Sequence, residues 1–147
     1  MQLNHFSDYA LRVLMYVARN ASGTVTIAEI AHVHGISENH LMKVVNRLAT
    51  LKYLTTVRGR GGGIKLGRAA EDISIGSVVR ELEPLAIVEC MSIEGGDCRL
   101  APSCALSAVL DSALHAFLKT LDQYSLADIS KSRRVSRREQ RPKSLVT

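Results

Sequence analysis

Apolar residues recur at helical spacing in five stretches of this chain, and between the third and fourth the pattern changes to that of short strands. Leu11, Leu14, Met15, Val17 and Ala18 mark the inward face of a first helix, with Ser7 as its predicted cap and an end near Asn20, before Ser22 and Gly23. Thr26-Ile27-Ala28-Glu29 has the form of a capping box, in which hydroxyl and carboxylate reciprocally satisfy free amides of the first turn. The short helix it opens turns Ile27, Ile30 and Ala31 inward and stops at Gly35. Ser37 caps a third helix with Leu41, Val44, Val45, Leu48 and Leu51 inward, which leaves Asn39, His40, Lys43, Asn46 and Arg47 on the opposite side. Helix, glycine turn and helix in that order are the signature of a helix-turn-helix.

Tyr53-Leu54-Thr55-Thr56-Val57 and Ile64-Lys65-Leu66-Gly67-Arg68 are strand-like, and Arg58-Gly59-Arg60-Gly61-Gly62-Gly63 between them predicts a hairpin wing. Ser74 opens a further helix with Ile75, Val78, Val79 and Leu82 inward and Pro84 beyond its end. Cys90 to Cys104 contains Gly95, Gly96 and Pro102 without a sustained period, and reads as loop. From Leu106 to Leu121, the residues Leu106, Val109, Leu110, Ala113, Leu114, Phe117, Leu118 and Leu121 cover more than one narrow face. So wide an apolar surface in so small a chain predicts packing against a second copy, a homodimer. The expected fold class is therefore mainly α with a small β-hairpin, a winged helix-turn-helix followed by a long dimerisation helix. Residues 1–70 form the winged-helix module and residues 71–130 the cysteine loop and dimerisation helix. Residues 131–147 are basic, hold serines and lack aromatics, so they read as a disordered tail.

A chain of 147 residues that is 46% hydrophobic supports one compact module with a helical extension, not two large domains. Its first residues carry no basic leader, Arg12 and Arg19 interrupt the apolar stretch that follows, and no segment has the ~18 apolar residues of a membrane span. The expectation is a cytoplasmic protein with reduced thiols. The net charge of +5 conceals an uneven distribution: nine Lys/Arg against three Asp/Glu in residues 1–70, three against ten in 71–130, and seven against one in 131–147. The basic first module has the footprint of a polyanion binder, whereas phosphate would repel the acidic middle.

Two groups of residues carry chemistry. Asn39, His40, Lys43, Asn46 and Arg47 combine amide and cationic groups that bond base edges or phosphates when a helix enters the major groove of double-stranded DNA. The alternative, a solvated helix face, is disfavoured by the capped helix before it and the basic wing after it. In that wing Arg58, Arg60 and Lys65 flank glycines that allow close approach to a groove. The wing's glycines do not match a phosphate-binding loop, since they lie between strands and not before a helix.

The second group is Cys90, Cys98 and Cys104, spaced C-x7-C-x5-C. Three thiols cannot pair off as disulfides, and the intervals are wider than those of structural zinc sites, so an iron-sulfur cluster with one non-cysteine ligand fits better than zinc or buried free thiols. Local candidates for the fourth ligand are Glu89, Glu94, Asp97 and Asp111, with His115 further along; His5, His32 and His34 read as surface or packing histidines. No nucleophile triad, carboxylate pair or H-E-x-x-H element is present, and an enzyme is not expected.

The stretch Met1-Gln-Leu-Asn-His-Phe-Ser-Asp-Tyr-Ala-Leu-Arg12, the run Ser37-Glu-Asn-His-Leu-Met-Lys-Val-Val45, the wing and Val78-Val-Arg-Glu-Leu-Glu-Pro-Leu85 together resemble the family of iron-sulfur winged-helix regulators over roughly residues 1–128. Within it they resemble the nitric-oxide-sensing repressors. The cluster-biogenesis regulators of the same family carry a histidine ligand three residues after the last cysteine, where this chain has Ser107. The resemblance implies a homodimeric repressor on a palindromic operator, nitric oxide as effector, and a cluster, 4Fe-4S more than 2Fe-2S, held by Cys90, Cys98 and Cys104. It also implies Asp8 of the partner subunit as fourth ligand; taken alone, Asp8 is a favourable anion in a first helical turn. The first cysteine interval is longer than in the family, and the basic tail is additional. Competing readings are a regulator of the same fold that senses redox or iron-sulfur status, and a small iron-sulfur redox protein, which would show no sequence-selective DNA binding.

Overall fold

The computed structural model describes residues 2–91, 98 and 104–131. Six α-helices are described: α1 (His5–Arg19), α2 (Ile27–His34), α3 (Glu38–Thr50), α4 (Ile75–Leu82), α5 (Ala105–Leu121) and α6 (Leu126–Ser130). Strands β1 (Leu54–Val57) and β2 (Gly63–Leu66) pair antiparallel between α3 and α4, with Leu54 opposite Leu66 and Val57 opposite Gly63. The mainly helical class with one small hairpin is as the sequence predicts, though each strand is a little shorter. Among the described residues no helix is long and apolar enough to cross a membrane.

The expected caps hold at α2, α3 and α4. Thr26 and Glu29 form the reciprocal capping box of α2, Ser37 accepts from the His40 amide, and Ser74 accepts from the Ser77 amide. The exception is α1, which begins three residues earlier than expected: Asn4 Oδ1 accepts from the Ser7 amide at 2.7 Å, and Ser7 itself is buried inside the helix. Asparagine is as good a cap as serine, and the earlier start adds the turn that packs Phe6 on the core.

α1 runs through the middle of the module and packs against α3, β2, α4 and α6. Its buried face, Ala10, Val13, Leu14 and Val17, meets Leu41, Val44, Val45 and Leu48 of α3 in one continuous core. That core also takes in Ile73, Ile75, Val78 and Leu126, from beyond the wing. The periodicity gave no sign of α6, which is only five residues long. Its signal was Ser125-Leu-Ala-Asp128, a second capping box in which the Ser125 amide donates to Asp128 Oδ2 at 2.9 Å. Leu126 is fully buried and its amide donates to the Ile73 carbonyl at 2.8 Å, so this last turn closes the core. Truncating it in Leu126→Ala is expected to cost ~2–5 kcal/mol in urea unfolding, and a loss below ~1 kcal/mol would show that α6 is peripheral.

α5 is different in kind. Only Leu118 of its apolar residues is buried, while Leu106 and Val109 are more than 60% exposed. It touches the rest of the chain chiefly through α4.

Candidate nucleic-acid interface and cysteine region

The second helix of the helix-turn-helix, α3, is presented by its neighbours. Gly35 ends α2 in a left-handed turn, Ile36 tucks into the core, and α3 then lies across α1 with its apolar stripe buried. Asn39, His40, Lys43, Asn46 and Arg47 are all exposed on the outer face, where periodicity placed them. The described ion pairs are Asp8–Arg12, Arg80–Asp122 and Asp111–His115, and none of them uses Lys43, Arg47, Arg58, Arg60 or Lys65. Those cations are thus not neutralised within the described chain.

The wing is held to the first loop. Val25 and Ile64 exchange backbone hydrogen bonds of 3.1 and 2.7 Å, and Thr24 Oγ1 donates to the Gly61 carbonyl at 2.9 Å. Gly59 and Gly61 have φ of 99° and 75°, a region that L side chains rarely enter, so the sharp tip between Arg58 and Arg60 depends on glycine. Arg58, Arg60 and Lys65 all project to solvent.

At the end of α3 lies a residue that no pattern in the sequence marks. Arg68 donates from Nη2 to the Leu51 carbonyl at 2.9 Å and from Nε to the Lys52 carbonyl at 3.3 Å, and its guanidinium lies 4.5 Å above the Tyr53 ring. Tyr53 is buried, and that burial, with a bond to Glu81, pushes its hydroxyl up to about 12. Sequence alone misses Arg68 because its partners are backbone carbonyls.

Of the cysteines, Cys90 and Cys104 are half-buried and Cys98 is exposed; all three are free thiols. Cys104 occupies the cap position of α5 without making a side-chain cap bond, and its carbonyl accepts from Ser107 Oγ at 2.9 Å. Cys90 shares a cavity of about 440 Å³ with Met91, Ser107, Ala108 and Asp111. Asp111 also lies 3.3 Å from His115 Nδ1, one turn further along the exposed side of α5. Glu94, Asp97 and the side chain of Glu89 lie outside the described residues.

Asp8 is placed elsewhere. It sits in the first turn of α1, where Arg12 grips both its oxygens at 3.1 and 2.8 Å, and this hydrogen bond and charge raise the Arg12 pKa. The cavity it lines, about 560 Å³, includes His5, Arg12 and His34 and none of the cysteines. Among the described residues no three His, Cys, Asp or Glu side chains of one chain converge as a metal site.

A capped helix-turn-helix with an exposed amide and cation face, flanked by a basic glycine wing, places this protein among the winged-helix regulators of transcription. More narrowly, the chain belongs to the Rrf2 family, iron-dependent transcriptional regulators, whose sequence model it matches over residues 3–132. Solved structures bear out the fold. CymR (YrzC), the global cysteine regulator of B. subtilis, is 25% identical and superposes with a TM-score of 0.68 over 88% of this chain and 96% of its own. T. potens IscR is 24% identical, with a TM-score of 0.71 over 88% of this chain and 85% of its own. The oxidized form of Staphylococcus aureus CymR is 25% identical, with a TM-score of 0.69 over 89% and 97%.

Proposed function

We propose that this chain is a homodimeric repressor of the NsrR type, which binds a palindromic operator and responds to nitric oxide through an iron-sulfur cluster, 4Fe-4S in preference to 2Fe-2S. The observation that carries the DNA reading is the exposed face of α3 beside the wing, with its cations outside every described ion pair. Two copies would set their recognition helices in successive major grooves, ~34 Å apart. The exposed Leu106 and Val109 of α5 supply an apolar surface for the second copy.

The donor chemistry fits a cluster. Three free thiols lie close along the chain up to the start of α5, where Cys104 holds the cap position. Cys90, Cys98 and Cys104 would hold it, with Asp8 of the partner subunit as the oxygen ligand. When bound, the cluster supplies iron that reacts with nitric oxide. The chain's own part is transmission. Asp8 stands on α1 within a turn of Phe6 and Tyr9, which share a groove with His40, Lys43 and Val44 of α3. A bridge made by Asp8 across the dimer would tie down both α1 helices and, through this packing, both recognition helices; without that bridge Asp8 would pair with Arg12, as it does in this structure.

The deciding experiment is anaerobic purification with iron and sulfide analysis, then operator binding before and after stoichiometric nitric oxide. A second reading is sensing of redox or iron-sulfur status, with the three free thiols as its reactive groups. In that case oxidant, not nitric oxide, changes operator affinity.

The wing and the recognition helix are expected to differ energetically. Alanine at Arg60 or Lys65 should lower affinity on any duplex and reduce the salt slope by about 0.9 for each phosphate that is no longer neutralised, and Arg58 and His40 should follow the same pattern. Alanine at Asn46 or Arg47 should cost ~1–3 kcal/mol mainly on the cognate site, as should Asn39 and Lys43 where they meet bases. Binding isotherms on cognate and random duplexes measure both; equal losses for the helix variants would remove them from base readout.

A further inference from the structure

The carbonyls of Leu51 and Lys52, just past the last turn of α3, lie where the chain reverses into the wing. Lys52 makes the reversal with φ of 64°, and the Tyr53 amide returns to the Leu48 carbonyl at 2.9 Å. The far end of the hairpin comes back to the same spot. The Gly67 amide donates to the Tyr53 carbonyl at 2.8 Å, and a Cβ on Gly67 would sit 2.6 Å from the Lys52 carbonyl oxygen. Arg68 then closes the junction with one edge of its guanidinium on the Leu51 and Lys52 carbonyls and its face on Tyr53. Both of these donors are thus spent on the backbone of the turn that follows α3.

An exposed arginine beside a DNA-reading helix has a ready alternative role as a phosphate contact. The geometry distinguishes the two. A phosphate contact needs only a positive charge at the end of a flexible stem, which lysine also provides. The junction uses a planar fork that bridges two carbonyls while stacking on a ring, which lysine cannot reproduce. We propose that Arg68 is a positioning residue for DNA recognition: it fixes the angle between α3 and the wing, so that helix and hairpin meet adjacent grooves together, and it does not itself touch DNA. This rests on the DNA-binding reading above.

The test uses the full-length protein and two probes, the duplex that the wild type enriches from a random pool and a scrambled duplex of the same length. Binding is measured across a salt series at a temperature where circular dichroism shows every variant folded. Arg68→Ala and Arg68→Lys are both expected to lose on the order of tenfold on the enriched duplex and less than about twofold on the scrambled one, with the salt slope unchanged, because a reading constellation displaced by a fraction of an ångström loses selectivity before charge. Gly67→Ala, which disturbs the junction but keeps the arginine, should show the same selective loss. The assignment is overturned if Arg68→Lys binds like wild type while Arg68→Ala lowers the salt slope by about 0.9, the mark of a direct bond to phosphate. It is equally overturned if all three variants match the wild type, or lose equally on both duplexes. A wild type that enriches no duplex would instead overturn the DNA-binding reading, and this assignment with it.

Discussion

Replacing Cys104 by serine is expected to remove the visible absorbance of the anaerobically purified protein and to weaken operator binding, while the chain stays folded and dimeric. The position makes this a clean substitution. Cys104 caps α5 but makes no cap hydrogen bond, so its sulfur contributes little to the helix start, and serine is among the best residues at a cap. The bond from Ser107 Oγ to the Cys104 carbonyl survives any side chain there. What is lost is a soft ligand, and a hydroxyl replaces thiolate poorly on iron. Operator affinity should then fall by about 5- to 150-fold, the range of a typical coupling free energy of ~1–3 kcal/mol between two sites. Alanine at Cys90 or Cys98 should do the same. Absorbance, iron and sulfide content, sedimentation and operator titration measure the four parts of the expectation separately. A wild type that purifies colourless, with zinc, sinks the cluster reading; a serine variant that loses the dimer as well would mean that Cys104 serves the fold.

Local chemistry was the legible part of this fold. The capping box of α2, the Gly35 stop and the apolar stripe of α3 are written in residues three or four apart, and each matches its element. The exposed positions on α3 follow at once, since a helix of known phase has only one outer side. The sequence misplaces the start of α1 because Asn4 and Ser7 are both good caps three residues apart, and contacts far along the chain, Phe6 on the core and Glu83 on the Asn4 amide, support the earlier one. α6 is too short for a period, although its box at Ser125 and Asp128 was there to be found. Arg68 was beyond reach, because its role depends on where two backbone carbonyls end up. The same holds for Asp8: the i, i+4 interval to Arg12 is visible in the sequence, but which residues line its cavity, none of them a cysteine of the same chain, follows from the whole fold.

That lining bears on the last expectation. The cavity lined by Asp8 includes none of the cysteines of its own chain, which agrees with ligation across the dimer. Mixed dimers of Asp8→Ala and Cys98→Ala chains should therefore recover half the nitric-oxide-reactive cluster of the wild type. In such a dimer one site joins intact cysteines to Asp8 of the partner subunit, and the other site carries both lesions. Ligation within a chain would give each site one lesion and neither would be native. The ion pair to Arg12 is no obstacle, because it is solvent-exposed and such pairs are weak. Both homodimers belong in the experiment, since Asp8→Ala alone can keep iron with water or a small thiol in the vacant position. The readouts that discriminate are the rate of cluster loss to a chelator and the stoichiometry of the nitric oxide response, not iron content. A mixed dimer no better than its parents in either readout would end the case for Asp8 in trans and return the fourth position to the oxygen donors near the cysteines, with Asp111, in the cavity beside Cys90, the first to replace.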